Sequence, residues 1–261
     1  MFPYNYHTHT IRCGHAVGTD EEYIEAAIRA GYTTLGFSDH VPYRNYSFPR
    51  NHMEWDQLDE YFDSLRLLKE KYKDQITILV GMESEYYPEC IDDYKLIKEK
   101  ADYLLLGQHF STPDFMETCY FRNLSEEEID GYADSVVEAI HSGLYTYVAH
   151  PDVFMNKQEA FTPACERAAH RIAKACEEEG LPLEVNLRGV LKGKKPFPEG
   201  EMYWYPHKNF WKILATYDIR VVIGIDAHDP SEILDRKLYQ DGVDEMSDLS
   251  LHFIEEPFIH I

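Results

Sequence analysis

The chain begins MFPYNYHTHT, and within those ten residues His7 and His9 stand one residue apart. Successive side chains on a strand alternate faces, so the two imidazoles share one side while Tyr6, Thr8 and Thr10 share the other. Two imidazoles on one rigid element can grip a single divalent cation. An isolated HxH is equally at home as two ordinary polar residues near a terminus. The rest of the chain decides the matter by supplying partners.

Partners recur at regular intervals. GFSDH, VGMESEY, LLGQHF, VAHPD, EVN and IGIDAH each close a short apolar run. Together with YHTHT they place His7, His9, His40, Glu83, His109, His150, Asp226 and His228 at the ends of such runs, with Asn186 closing the sixth. A solvated charged face would scatter these residue types along helices. Imidazoles and carboxylates gathered without thiolates suit zinc, manganese or iron.

Those apolar runs read as seven strands, 5–10, 34–39, 76–83, 103–108, 145–150, 183–186 and 221–226. Amphipathic patterns over 20–30, 56–73, 92–100, 125–142, 163–179 and 207–217 read as helices between most of them. Thr19 with Glu22 and Ser125 with Glu128 fit the capping box that opens a helix, and Gly31, Gly143 and Gly180 fit its close. Seven strand-helix repeats without tandem hairpins predict an α/β fold with a parallel sheet, closing most simply into a barrel. An open doubly wound sheet is the alternative, but no GxGxxG follows the first strand. Barrel active sites form at the C-terminal ends of the strands, where the ligating residues fall.

At 261 residues the chain can bury one large core, which predicts a single domain over 1–261. The motifs occupy about 4–230, leaving 231–261 as a C-terminal extension. Twenty-five basic against 47 acidic residues gives a net charge of −22, which opposes attraction to nucleic acid or anionic membrane. Five cysteines, odd in number and without CxxC, predict reduced thiols rather than a disulfide framework. No basic-then-apolar leader and no apolar run near 18 residues are present, so the expected location is cytoplasmic. Nothing in the sequence indicates an oligomeric state. The 20 tyrosines lie along strands and helices as packing, without the interleaved basic residues of a single-strand binder.

With HTHT near the start, CGHA shortly after, then SDH, Glu83, His109, AHPD, EVN and DAH, the chain resembles the PHP (polymerase and histidinol phosphatase) family. Its layout is most similar to the stand-alone histidinol-phosphate phosphatases. The resemblance implies a distorted (β/α)7 TIM-like barrel holding two or, more often, three divalent metal ions. It also implies how they are shared. His7 and His9 would hold one ion with Glu83 and Asp226, and Glu83 would bridge to a second held by His109 and His150. His15, His40 and His228 would hold the third. His15 lies in a loop, and the CGHA match alone promotes it.

The implied activity is hydrolysis of a small phosphomonoester, L-histidinol phosphate to L-histidinol and phosphate, in histidine biosynthesis. A metal-bridging hydroxide held by Glu83 and Asp226 would attack phosphorus in line. The same cage could instead serve a nucleotide, a sugar phosphate or a phosphodiester. A more distant alternative is a non-catalytic metal-binding or polymerase-accessory module, which would be expected to have lost ligands. A serine phosphoenzyme finds no support, because Ser38 and Ser84 lack a nucleophile elbow or activating base.

For substrate contacts, Arg12 and Arg188 stand just past strand ends, where an arginine could clamp phosphate bidentately. Glu85, on the face of Glu83, and Asp152, beyond His150, are expected to form an acidic wall for the ammonium and imidazole of the leaving group. The long segment 187–206 is a lid candidate, with Lys192, Lys194 and Lys195 expected as its solvated tip. His52, His141, His170, His207, His252 and His260 are expected in surface or capping roles.

Overall fold

The computed structural model describes residues 1–114 and 119–259; His260 lies outside them. Eight strands form one parallel sheet. The first six are β1 (Tyr4–Asn5), β2 (Thr34–His40), β3 (Thr77–Ser84), β4 (Leu104–Leu106), β5 (Tyr147–Val148) and β6 (Leu183–Asn186). An antiparallel hairpin, β7 (Lys195–Phe197) and β8 (Gly200–Met202), stands apart. The main sheet is completed by β9 (Arg220–Gly224) and β10 (His252–Phe253), in the order β1-β2-β3-β4-β5-β6-β9-β10.

The sheet curls until the chain beyond β1 meets the chain beyond β9. There Thr8 bridges Ala227, His9 N–H donates to the Ala227 carbonyl at 2.9 Å, and Ala227 N–H donates to the His7 carbonyl at 3.2 Å. This is the distorted (β/α)7 barrel, with β10 as an eighth strand the sequence pattern did not reveal. The first strand is shorter than expected. Its ladder with β2 stops at Asn5, whose side-chain amide donates to the His7 carbonyl and to Thr8 Oγ1 and accepts from Ile225 N–H.

The helices are α1 (Asp20–Ala30), α2 (Leu58–Tyr72), α3 (Ile91–Lys98), α4 (Glu126–His141), α5 (Pro163–Glu179), α6 (Arg188–Leu191), α7 (Lys208–Leu214), α8 (Pro230–Leu234) and α9 (Arg236–Met246). Both capping boxes form, Thr19 with Glu22 and Ser125 with Glu128. Gly31 and Gly180 end α1 and α5 at φ 87° and 64°, a left-handed conformation that glycine reaches without a Cβ clash. No helix among the described residues is long and apolar enough to cross a membrane. All five cysteines are free.

Strand alternation sorts the barrel into two layers. On β3 the outward Ile78, Val80 and Met82 join the core beneath the helices, each worth roughly 1.5–3 kcal/mol on burial. The inward side of the barrel carries Leu79 into a separate cluster with Tyr4, Tyr6, Tyr103, Leu105, Tyr147 and Val222, and Phe258 packs against it. Glycines on the inward rows make room for large side chains. A Cβ at Gly81 would lie 2.5 Å from the Tyr103 ring, one at Gly107 1.9 Å from Glu83 Oε1, and one at Gly224 1.7 Å from Glu184 Oε1.

Candidate metal centre

At the C-terminal ends of these strands the ligating side chains converge in three overlapping groups. In the first, His7 Nε2 and His9 Nε2 lie 3.3 Å apart, within 3.5 and 3.4 Å of Glu83 Oε2 and 3.6 and 3.2 Å of Asp226 Oδ1. In the second, Glu83 Oε1 lies 2.8 Å from His150 Nε2 and 3.5 Å from His109 Nε2, which are 3.3 Å from each other. The third joins His15 and His228, whose Nε2 atoms are 3.0 Å apart, with His40, the ligand atoms all within 4.8 Å. His40 Nδ1 also faces Glu83 Oε2 at 3.1 Å. Glu83 therefore touches all three groups.

The ring orientations have identifiable causes. Nδ1 of His7 meets Glu184 Oε1 at 3.0 Å, that of His109 meets Glu85 Oε1 at 2.9 Å, and that of His9 lies 3.4 Å from Asp39 Oδ1. Backbone carbonyls do the same for His15, through Cys13 and Arg50, and for His228, through Asp226. Each acceptor fixes a proton on Nδ1 and turns Nε2 toward the cluster, as outer partners of metal-bound histidines do. Asp226 and His150 have φ of 56° and 29°, a region costly for residues with a Cβ and concentrated at functional sites.

The donor set fits divalent cations. Glu83 Oε2 and His40 Nδ1 are buried without a hydrogen bond among the described residues, and imidazole nitrogens confront one another at hydrogen-bond distance with no proton to serve every pair. Such an arrangement is expensive unless positive charge lies between the donors. The protein's own charges show the demand. Burial opposes ionising Glu83, yet His7, His109 and His40 hold it well below the usual carboxylate range. Burial likewise opposes charging His9, but Asp226, Asp39 and Glu83 push it up to about 9. His40 and His228 go the other way, driven well down by burial and by His9.

Three residues in this region escape sequence reasoning. Glu184 accepts from His7 Nδ1, His150 N–H, Tyr147 OH and Asn186 Nδ2. Asp39 accepts from Thr10 N–H and His40 N–H as well as facing His9. The signal was there in both cases, a carboxylate inside an otherwise apolar strand. His52 was expected at the surface. It is buried instead, stacks on His40 at 5.1 Å and meets the Val41 carbonyl at 2.7 Å.

A cavity of about 400 Å³ lies over the cluster, floored by His15, His40, Glu83, His109, His150, Asp226 and His228. Its walls bring Arg188, Lys192 and Tyr205 together with Phe48, Phe110 and Phe121. Arg188 Nη1 lies 2.9 Å from Glu232 Oε1, and Lys192 Nζ donates to Tyr205 OH at 2.8 Å. Burial pushes Lys192 down to about 8, with the charges of Arg188 and Lys157 adding to the effect against Asp226.

Several expected substrate contacts lie away from the cavity. Arg12 does not reach the cavity; Asp20 at 2.9 and 3.0 Å and Glu60 at 2.7 and 3.0 Å bind its guanidinium. Glu85 is fully buried, committed to His109 and Tyr43. Asp152 is fully buried too, its Oδ2 accepting from His207 N–H at 2.6 Å and Trp211 Nε1 at 3.2 Å, while burial pushes its carboxyl up to about 7. Neither lines the cavity, so the acidic wall is absent and aromatic rings stand in its place. Segment 187–206 is folded as α6 and the β7–β8 hairpin, and Lys192 turns inward while Lys194 pairs with Glu245. His207 caps α7 as expected, and His141, His170 and His252 meet Glu179, Tyr217 and Asp218 at the surface.

The PHP domain family matches residues 5–188. The chain belongs to the PHP-domain family. It is 30% identical over 251 residues to the "Probable histidinol-phosphatase" of Deinococcus radiodurans, covering 93% of this chain and 92% of that one. It is 25% identical to the histidinol-phosphatase of Bacillus subtilis over 71% of this chain and 81% of that one. Its fold matches the crystal structure of histidinol phosphate phosphatase from Lactococcus lactis, complexed with zinc, L-histidinol and phosphate, with a TM-score of 0.71, at 17% identity over 97% of this chain and 95% of that one. Within its family the chain is an enzyme of the phosphatase class.

Proposed function

We propose that the protein hydrolyses a small phosphomonoester, L-histidinol phosphate, on a cluster of three divalent ions. The observation that carries this reading is the cavity itself, where a floor of imidazoles and carboxylates lies beneath two cationic side chains and three phenyl rings. His7, His9, Glu83 and Asp226 would hold one ion, Glu83, His109 and His150 the second, and His15, His40 and His228 the third. When bound, the ions supply Lewis-acid stabilisation of phosphoryl charge and acidify water.

The chain's own residues do the rest. Glu83 directs one oxygen to the first and third groups and the other to the second, keeping their spacing fixed. Glu184 and Glu85 hold the His7 and His109 rings so that the cluster does not rearrange as charge moves. Arg188 and Lys192 face phosphate oxygens from the wall, Arg188 steadied by Glu232. Phe48, Phe110 and Phe121 exclude water and offer ring faces to an ammonium and an imidazole, an attraction of roughly 0.5–2 kcal/mol per cation–ring contact. Ser38 and Ser84 lie outside the cavity, with Ser38 Oγ accepting from Thr8 N–H and Ser84 Oγ paired with Tyr145 OH.

Phosphate release from equal concentrations of L-histidinol phosphate, AMP, glucose 6-phosphate and bis(p-nitrophenyl) phosphate tests the reading at constant metal loading. The expected order puts L-histidinol phosphate first in kcat/KM by at least about tenfold, one ionic or cation–ring contact's worth of discrimination. Equal turnover of the nucleotide or the diester would reject the substrate while leaving the phosphatase class.

A further inference from the structure

We infer that Lys157, Lys192 and Lys195 form a cationic rim that draws dianionic phosphate into the cavity; the inference rests on the phosphomonoester reading above. Most lysines of this acidic chain are neutralised where they stand. Lys69 pairs with Asp102, Lys71 with Glu21, Lys100 with Asp59 and Lys208 with Asp248. The three rim lysines pair with no carboxylate among the described residues and rest on aromatic rings instead. Lys157 Nζ lies 5.1 Å and Lys195 Nζ 5.2 Å from the centre of the Trp204 ring, while Lys192 Nζ lies 4.6 Å from Tyr205 and 5.6 Å from Phe121.

The three are contiguous. Lys195 Nζ donates to the Lys192 carbonyl at 2.7 Å, Trp204 Nε1 donates to the Gln158 carbonyl beside Lys157, and Trp204 is followed by Tyr205 in the cavity wall. The charges of Lys157 and Arg188 are felt at Lys192. Lys157 itself is held at φ 77°, a left-handed conformation that is strained for a residue with a Cβ.

The physical need follows from the net charge of −22. A phosphate dianion approaching a protein of this net charge is repelled on balance, and a local strip of positive charge at a cavity mouth would focus it inward. Ring contacts suit such a strip because they restrain an ammonium without cancelling its charge, as a carboxylate would. Lys157 and Lys195 are then steering residues, which act before the substrate reaches Arg188 and Lys192 and take no part in the chemical step.

The test is the double variant Lys157→Ala/Lys195→Ala, with Lys157→Arg/Lys195→Arg as the charge-preserving control, both metal-loaded. Near 20 mM salt, kcat/KM for L-histidinol phosphate should fall about tenfold in the alanine variant, with kcat within about twofold of the parent. Near 0.5 M salt the two proteins should converge, since screening removes the field, and the arginine variant should match the parent throughout. The affinity of inorganic phosphate, measured by calorimetry, should weaken by a similar factor at low salt, a readout that holds whichever monoester is preferred. Unchanged phosphate affinity at low salt, or a loss that persists at high salt, would overturn the rim even if the substrate reading stands.

Discussion

At the lower end of the barrel Tyr103 fills the interior, its hydroxyl 2.6 Å from the Tyr6 carbonyl and 2.9 Å from that of Phe37, with Tyr4, Tyr147 and Phe258 around it. At the upper end, on the same strands, Glu83 and Glu184 fill the interior beside seven imidazoles. Both ends use the same device, an inward glycine whose missing Cβ admits a large neighbour: Gly81 for Tyr103, Gly107 for Glu83, Gly224 for Glu184. The lower end satisfies its polar atoms within the protein. The upper end leaves Glu83 Oε2 and His40 Nδ1 buried without a hydrogen bond among the described residues. One barrel thus holds a self-sufficient plug and a cluster that calls for outside charge, and the contrast separates structure from function along a single set of strands.

The comparison is broken most severely at Glu83. Glu83→Gln should cut turnover by about a thousandfold or more in a phosphate-release assay, since one carboxylate oxygen that serves two imidazole groups becomes neutral. Glu85→Gln comes next. Its loss of charge behind His109 should weaken retention of the second ion by about 10–100-fold in a chelator competition, and it should not alter substrate preference, because the side chain does not line the cavity. Tyr103→Phe should act on the lower end alone. Chemical denaturation should show a loss of about 1–2 kcal/mol, with kcat and metal content unchanged; a change in either would mean that the two ends are coupled.

The smallest effect concerns an imidazole that belongs to neither end. His207 lies against Phe161 and Phe197, and burial pushes it down to about 4. The unfolded chain therefore takes up the proton more readily, so this residue's contribution is present above pH 6.5 and fades as pH falls toward 4. His207→Asn keeps a cap for α7 but removes that proton site. Between pH 7 and 5 its Tm should fall less than the parent's, by a degree or two; parallel curves would contradict the assignment.

Much of the upper end was legible because metal ligation demands rare residue types at fixed places. Histidine and carboxylate at strand ends stand out against apolar runs, and six helices announced themselves by period and caps. Glycine gave no such warning. Nothing in LLGQHF or IGIDAH says that Gly107 and Gly224 make room for Glu83 and Glu184. The facing of Glu85 and Asp152 was also out of reach, since alternation along a strand fixes the side but not whether the side chain stops at a neighbouring histidine or reaches the cavity. Arg12 misled for the same reason, with Asp20 and Glu60 capturing it from α1 and α2. The strand β10 escaped because two residues carry no period.

On the proposed reading Glu83 would organise a cluster of three ions at the upper end of the barrel. Elemental analysis of metal per chain, run side by side on the parent protein and Glu83→Gln after identical purification, tests it most directly. Three divalent ions are expected in the parent, with the loss in the variant of at least one of the two that Glu83 would bridge; a variant that keeps its full complement would rule out the bridging role.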